Sequence, residues 1–397
     1  MPLGVRPLLG IRVLDVSDAL GAYCTRVLAG LGADVLKVED PAGDELRRRP
    51  PFRDGADGPD ASLAFAYYHA GKRGLTLDST RDASSALLDE LGATADVVVI
   101  SPSRRRPLVG FRDEGGSLSW ARNDAIVCAI TPFGLTGPHR HRRATHFTAY
   151  AASGHMHALG PPEGPPVVIP GQQHWDEAGA HAAIAVLAAL QHRDTVGGQI
   201  IDLSAHEVGL TRDFVFDRYA ATGMTINRTV VVGYPPTGTW QCRDGAFDVA
   251  AHQTRHWGAF LDMLDHPAEL SDPSLQDVLV RRDIFDGLQE VIAALLAGRS
   301  RAELVERGQA AGLPCSLQNT PAEYVADDQL AARDYFVTLC GPGGDVRMPG
   351  APFRSSPPLF GITRAAPRLG EHNHEIYVDE LGHAPDEVRC WQDDGVV

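Results

Sequence analysis

Histidines crowd one stretch of this 397-residue chain: His139, His141, His146, His155, His157 and His174 all lie between residues 139 and 174. His-x-His occurs twice there, which raises metal binding. A zinc site needs a matching set of cysteines or carboxylates, such as His-Glu-x-x-His, and none accompanies them. Loop polarity accounts for the cluster, and no metal is expected. Asp176, in His174-Trp175-Asp176-Glu177-Ala178-Gly179, opens an apolar run ending Ala188-Ala189-Leu190. A carboxylate there suits the free N–H groups and positive dipole of a helix start. His146, thirty residues earlier in Arg143-Ala144-Thr145-His146, stands in a loop where an imidazole could move a proton.

Cations form the other chemical signal. Lys72 and Arg73 adjoin, Arg47 follows Gly43-Asp44, and Arg104, Arg105 and Arg106 come just after an apolar strand. The carboxyl edge of an α/β sheet is where such charges meet ligands. The formal charge of −15 argues against a nucleic-acid surface. It leaves room for a local basic pocket that holds a phosphorylated ligand. Six cysteines (24, 128, 242, 315, 340, 390) are scattered without a Cys-x-x-Cys pair, as buried thiols in a reducing cytoplasm would be. Cys24 opens a helix, where a thiol pKa can fall, but packing is the favoured role. No apolar run is long enough to span a bilayer and no signal peptide begins the chain, so a cytoplasmic protein without a membrane partner is expected.

The elements that must position these residues alternate. Val13–Val16 reads as a buried strand, Tyr23–Leu31 as a helix ended by Gly32, and Asp34–Val38 as a second strand. Strands at Leu75–Leu77, Asp96–Ile100, Ile126–Ile130 and Ile200–Leu203, with helices at Ala83–Leu91 and Ala178–Gln191, continue the pattern. Strands this apolar imply a parallel sheet covered on both faces, as in a Rossmann-like α/β layer. The Gly-x-Gly-x-x-Gly fingerprint is missing from the first turn, which disfavours a dinucleotide dehydrogenase. Past residue 215 the character changes to turn signals, short strands, and helices at Arg255–Leu264, Arg282–Leu296 and Arg301–Gly312. The expected organisation is a large α/β domain over 1–210, a small α+β domain over 211–334, and a 335–397 segment.

Several runs occur in the order found in one family. They are the opening stretch 11–47, Gly71-Lys72-Arg73-Gly74-Leu75-Thr76-Leu77-Asp78, Phe133-Gly134-Leu135-Thr136-Gly137-Pro138, Thr195-Val196-Gly197-Gly198-Gln199-Ile200-Ile201-Asp202-Leu203-Ser204, Gly312-Leu313-Pro314-Cys315 and Leu369-Gly370-Glu371-His372-Asn373. Together they resemble the family III CoA-transferases, the group of formyl-CoA transferase, carnitine CoA-transferase and α-methylacyl-CoA racemase. The resemblance implies that 335–397 rejoins the large, CoA-binding domain and that two chains interlock as a homodimer. It also implies an acyl-CoA donor and a small carboxylic acid acceptor.

On that resemblance Asp176 is the nucleophile, forming an aspartyl anhydride and then an aspartyl-CoA thioester. Counted without a gap, the family's aspartate falls on Trp175, one residue earlier. Lys72, Arg73, Arg47 and Arg104 are the cations for CoA. Asp40 stands where the family often has a CoA-contacting Arg, and Ser101-Pro102-Ser103 replaces its usual turn after Ile100. The same residues allow two alternatives. One is a racemase, isomerase or lyase with His146 and Asp176 as acid and base; the other is a non-catalytic acyl-CoA-binding protein.

Overall fold

The computed structural model describes residues 6–397 apart from 54, 56–57, 82, 102–117, 162, 212–213, 226–227, 229–233, 252 and 342–343. The expected cation Arg104 and its neighbours Arg105 and Arg106 lie outside the described residues. The chain divides into two compact units, Met1–Arg228 with Asp334–Val397, and Thr229–Arg333.

The first unit is built on a parallel sheet of six strands: β1 (Arg12–Val16), β2 (Asp34–Glu39), β3 (Arg73–Thr76), β4 (Val97–Ile100), β5 (Ile126–Thr131) and β6 (Gln199–Ser204). Their order is β3-β2-β1-β4-β5-β6, so the direction of winding reverses between β1 and β4. The side chains split by the period of two. Val13, Val35, Val97, Val99, Ile126 and Cys128 pack with helices α1 (Ala22–Gly30) and α5 (Gln173–Val196) on one face. Leu14, Leu36, Val38, Val98 and Val127 pack on the other with α3 (Ser84–Thr94) and with Ile376 and Tyr377 from the end of the chain. A strand covered on both faces takes apolar residues at successive positions, which is why β4 and β5 read as nearly unbroken apolar runs.

Gly179 of α5 shows how tightly α1 and α5 meet. A Cβ there would stand 2.9 Å from the Cys24 backbone nitrogen and 2.9 Å from Tyr23 Cβ. Cys24 itself is fully buried, and burial pushes its thiol well above the ordinary range, so it packs rather than reacts. Helix α5 is longer than the apolar run suggested, and Ile184 on it is exposed.

The segment after residue 334 returns to this unit. Its strands β10 (Phe336–Gly341) and β11 (Gly344–Pro349) form a separate antiparallel ribbon. His372 and Asn373, from the Leu-Gly-Glu-His-Asn run, then complete the open edge of β3. Gly74 N–H donates to His372 Nδ1 at 3.1 Å and Thr76 N–H donates to Asn373 Oδ1 at 2.9 Å. That run is thus an edge cover, which a sheet needs wherever unpaired N–H groups would otherwise be buried. The second unit holds an antiparallel sheet, β7 (Gly238–Cys242), β8 (Gly245–Val249) and β9 (Cys315–Leu317), packed with helices Thr254–Met263, Phe285–Ala297 and Arg301–Ala310. The single helix expected over 282–296 is broken at Ile284.

Candidate active site

Helix α5 starts at Gln173, with Gln172 as its N-cap. The Gln172 carbonyl accepts from Trp175 N–H at 2.8 Å and Asp176 N–H at 3.0 Å, which closes the first turn. That turn sends Trp175 and Asp176 in different directions. Trp175 is buried in the core with Ala178 and Ala182. Asp176 is only partly buried, and its Oδ1 accepts from the Tyr68 hydroxyl at 2.8 Å. Tyr68 stands on α2 (Leu63–His69), whose N-cap Ser62 accepts from Phe65 N–H at 3.2 Å. Burial raises the Asp176 pKa, while Tyr68, the Gln172 amide and the Arg49 guanidinium each draw it back without cancelling the rise. Burial and the adjacent carboxylate push the Tyr68 phenol far up, so it stays a donor at any ordinary pH.

His146 stands beside the same turn. It is the first residue of α4 (His146–Ala152), not a loop residue, and Thr145 caps that helix. Its Nε2 accepts from His174 N–H at 3.3 Å, and its ring meets Trp175 edge-on at 5.9 Å. The structure thus brings His146 to the start of the helix that carries Asp176. The lone pair a base would use is turned to a backbone N–H.

The expected CoA cations have internal partners. Lys72 is fully buried, with Nζ 2.9 Å from Asp15 Oδ2 and donating to Thr25 Oγ1 at 2.6 Å. Burial alone would raise Asp15, but Lys72 and Lys37, with Ser17 and Thr25, together hold it well below the usual carboxylate range. Arg47 donates to both oxygens of Glu39, at 2.6 and 2.7 Å, and lies over the Phe65 ring. Arg73 pairs with Asp34, Glu375 and Glu380 at the amino end of the sheet. Phosphate contacts by these three would require the pairs to open.

The carboxyl edge of the sheet offers two further features. At the reversal between β1 and β4, Ser101 Oγ donates to Asp18 Oδ1 at 2.7 Å. Burial raises Asp18 to about 6, against the pull of Ser101 and Leu20 N–H and with the help of Glu45 and Asp44. The raised pKa means that the fold binds this proton more tightly than the unfolded chain does. Its stabilising share is complete below about pH 4 and is lost as pH climbs through about 6. Asp18→Asn is therefore expected to raise stability by about 1–3 kcal/mol at pH 7.5 and hardly at all at pH 4. Urea melts of both proteins at the two pH values check it.

Beyond β5 and β6 lies a cleft of about 230 Å³, lined by Phe133, Gly134, His139, Asp202, Ser204 and His206. Leu135 N–H donates to Asp202 Oδ1 at 2.9 Å, and Gly134 has φ +88°, so the Phe-Gly-Leu-Thr-Gly-Pro run is the rim of this cleft. Asp176 is not among its lining residues. Among the described residues no group of three or more His, Cys, Asp or Glu could hold a metal ion, and no helix is long and apolar enough to cross a membrane.

The Rossmann-like strand order, with a half-buried carboxylate at the head of a long small-residue helix, defines the class. The family model for CoA-transferase family III matches residues 8–373, and the chain belongs to that family. It is 31% identical over 396 residues, 95% of each chain, to succinyl-CoA:(R)-benzylsuccinate CoA-transferase subunit BbsE of Thauera aromatica. It is 29% identical, over 98% of each chain, to formyl-CoA:oxalate CoA-transferase of Streptomyces coelicolor. A CAIB/BAIF family protein from Brucella suis superposes with a TM-score of 0.83 at 27% identity, covering 95% of this chain and 100% of that one. An aspartate-to-alanine mutant of Rv3272 from Mycobacterium tuberculosis superposes with a TM-score of 0.75 at 26% identity, over 94% of this chain and 98% of that one. The protein is an enzyme of the CoA-transferase type.

Proposed function

We propose that the enzyme moves CoA from an acyl-CoA to a carboxylic acid, with Asp176 as nucleophile. The observation that carries this is the split at the first turn of α5: Trp175 enters the core, and Asp176 is left at a partly open site, oriented by Tyr68. A carboxylate oxygen of Asp176 attacks the thioester carbonyl, forming a C–O bond while the carbonyl electron pair moves onto oxygen. Collapse of that oxyanion breaks the C–S bond, and CoA leaves as thiolate from a mixed anhydride. The thiolate then attacks the carbonyl carbon of Asp176, and the acyl group departs as its carboxylate. The acceptor acid runs the sequence in reverse. No net proton moves, and each hard acyl transfer is divided into easier steps.

CoA enters this reading as a substrate, with the Arg104 run as the cations for its phosphates and Lys72, Arg73 and Arg47 as supports of the sheet. A second copy of the chain is the partner the family implies. The engagement of His146 Nε2 with His174 N–H favours transfer over acid–base racemisation. The names of the relatives pair succinyl-CoA or formyl-CoA with benzylsuccinate, oxalate or malate, so succinyl-CoA and formyl-CoA are the donors to test. Incubation with each, trapping by hydroxylamine or borohydride and peptide mass spectrometry should place the modification on Asp176. Modification of another residue, or none with either donor, would sink the reading.

A further inference from the structure

Gln172 is an N-cap residue whose side chain does not cap its helix. Its side chain is buried, 5% exposed, and its Oε1 accepts from Arg49 Nη1. Arginine only donates, so the amide end that faces it must be the oxygen. That fixes where the NH₂ points. Nε2 is buried and makes no hydrogen bond of ordinary geometry, although it stands close enough to Asp176 to draw that carboxylate's pKa down and lies beside Tyr68 as well. Burying an amide donor without an acceptor is unfavourable. An acceptor that exists only during the reaction would explain why such a donor is held here.

The supports of Gln172 are themselves fixed. The Arg49 carbonyl accepts from Ser62 Oγ at 2.7 Å, and Arg49 N–H donates to the Leu46 carbonyl at 3.2 Å. Arg49 forms no ion pair with a carboxylate among the described residues. Tyr68 already serves Asp176 Oδ1, so a group attached at Asp176 comes to lie between a committed donor and an uncommitted one.

We infer that the Gln172 side-chain amide is an oxyanion donor for acyl transfer at Asp176, with Arg49 as its positioning residue. This rests on Asp176 being the nucleophile. The electron pair that leaves the thioester carbonyl as the C–O bond forms is received by an oxygen that accepts from Nε2–H; no proton is transferred. A donor aimed in advance at developing charge needs no reorganisation when the charge appears, and losing one such donor typically lowers kcat by roughly 10²–10³-fold.

The test compares wild type, Gln172→Met and Arg49→Lys in single turnover with succinyl-CoA, following the Asp176 adduct by mass spectrometry, with thermal melts alongside. Gln172→Met should slow adduct formation by roughly 10²-fold or more with little change in the succinyl-CoA concentration giving half-maximal rate. Its melting temperature should be unchanged or higher, because an unsatisfied buried donor has been removed. Arg49→Lys keeps a donor to Oε1 and should fall between the two. A Gln172→Met adduct rate within about threefold of wild type overturns the inference, as does a loss of rate matched by a fall in melting temperature. No adduct at Asp176 even in wild type would instead remove the nucleophile on which the inference rests.

Discussion

Asp176→Ala should lose CoA-transferase turnover by on the order of 10⁴-fold or more, because the carboxylate that forms the covalent intermediate is gone. The expected loss lies in kcat, with acyl-CoA still binding, since the proposed role of Asp176 is the covalent step and not the hold on CoA. Trp175→Ala should behave otherwise. It removes a core side chain next to Ala178 and Ala182 and is expected to cost about 3–5 kcal/mol in stability. The pair of variants thus distinguishes the nucleophile from its neighbour by kind of defect: one folded and inert, the other active in proportion to the folded fraction. The pH profile adds a sign. The Asp176 pKa is raised and the attacking species is the carboxylate, so the adduct rate should climb as pH rises through that pKa. Tyr68→Phe withdraws a hydrogen bond to the charged form and should move the acidic limb further up. Turnover by Asp176→Ala within tenfold of wild type would end the covalent scheme.

Legibility in the sequence depended on distance along the chain. The central strands β4 and β5 could be read because they are buried on both faces and so carry their apolar runs whole, as at Val97–Ile100. Asp176 could be read from the small-residue helix that it opens. Tyr68 could not. Its hydroxyl meets Asp176 across 108 residues, and in Phe65-Ala66-Tyr67-Tyr68 it looks like one more core aromatic. Gln172 has the same difficulty: its value lies in a partner at residue 49 and in an N–H that makes no hydrogen bond of ordinary geometry. The partners of the cations were hidden for the complementary reason. A lysine or arginine near a strand end reads the same whether it meets a phosphate or a buried carboxylate. Asp15, Glu39 and Asp34 sit on other strands, so no local pattern announces the pairing. The Leu-Gly-Glu-His-Asn run was recognisable as a motif, but its work, closing the edge of β3, links residues 297 and 298 positions apart.

Lys72→Met is expected to be a stability mutant before it is a ligand-binding one. Lys72 and Asp15 are both fully buried and 2.9 Å apart, with Thr25 Oγ1, His69 Nδ1 and the Ala22 carbonyl as the ammonium's other contacts. Removing the lysine leaves the Asp15 carboxylate in the core with Lys37 as its remaining cation, a change that typically costs about 3–5 kcal/mol. For a unit of this size that lowers the unfolding midpoint by on the order of 10 °C. The same variant should be less sensitive to acid. In wild type the depressed Asp15 pKa contributes stability above the unfolded carboxylate range near pH 4, and that share disappears as pH falls toward the folded value. Without Lys72 the Asp15 pKa rises and the difference narrows. Combining Lys72→Met with Asp15→Asn should recover part of the loss, because the orphaned charge is gone. Thermal melts of the three variants measure this, and calorimetric titration with CoA separates it from ligand binding. If Lys72→Met melts with wild type but loses CoA affinity tenfold or more, the lysine serves the phosphates and the buried pair does not hold the fold. An early melt, with affinity kept in the folded fraction, is the result the Asp15–Lys72 geometry leads us to expect.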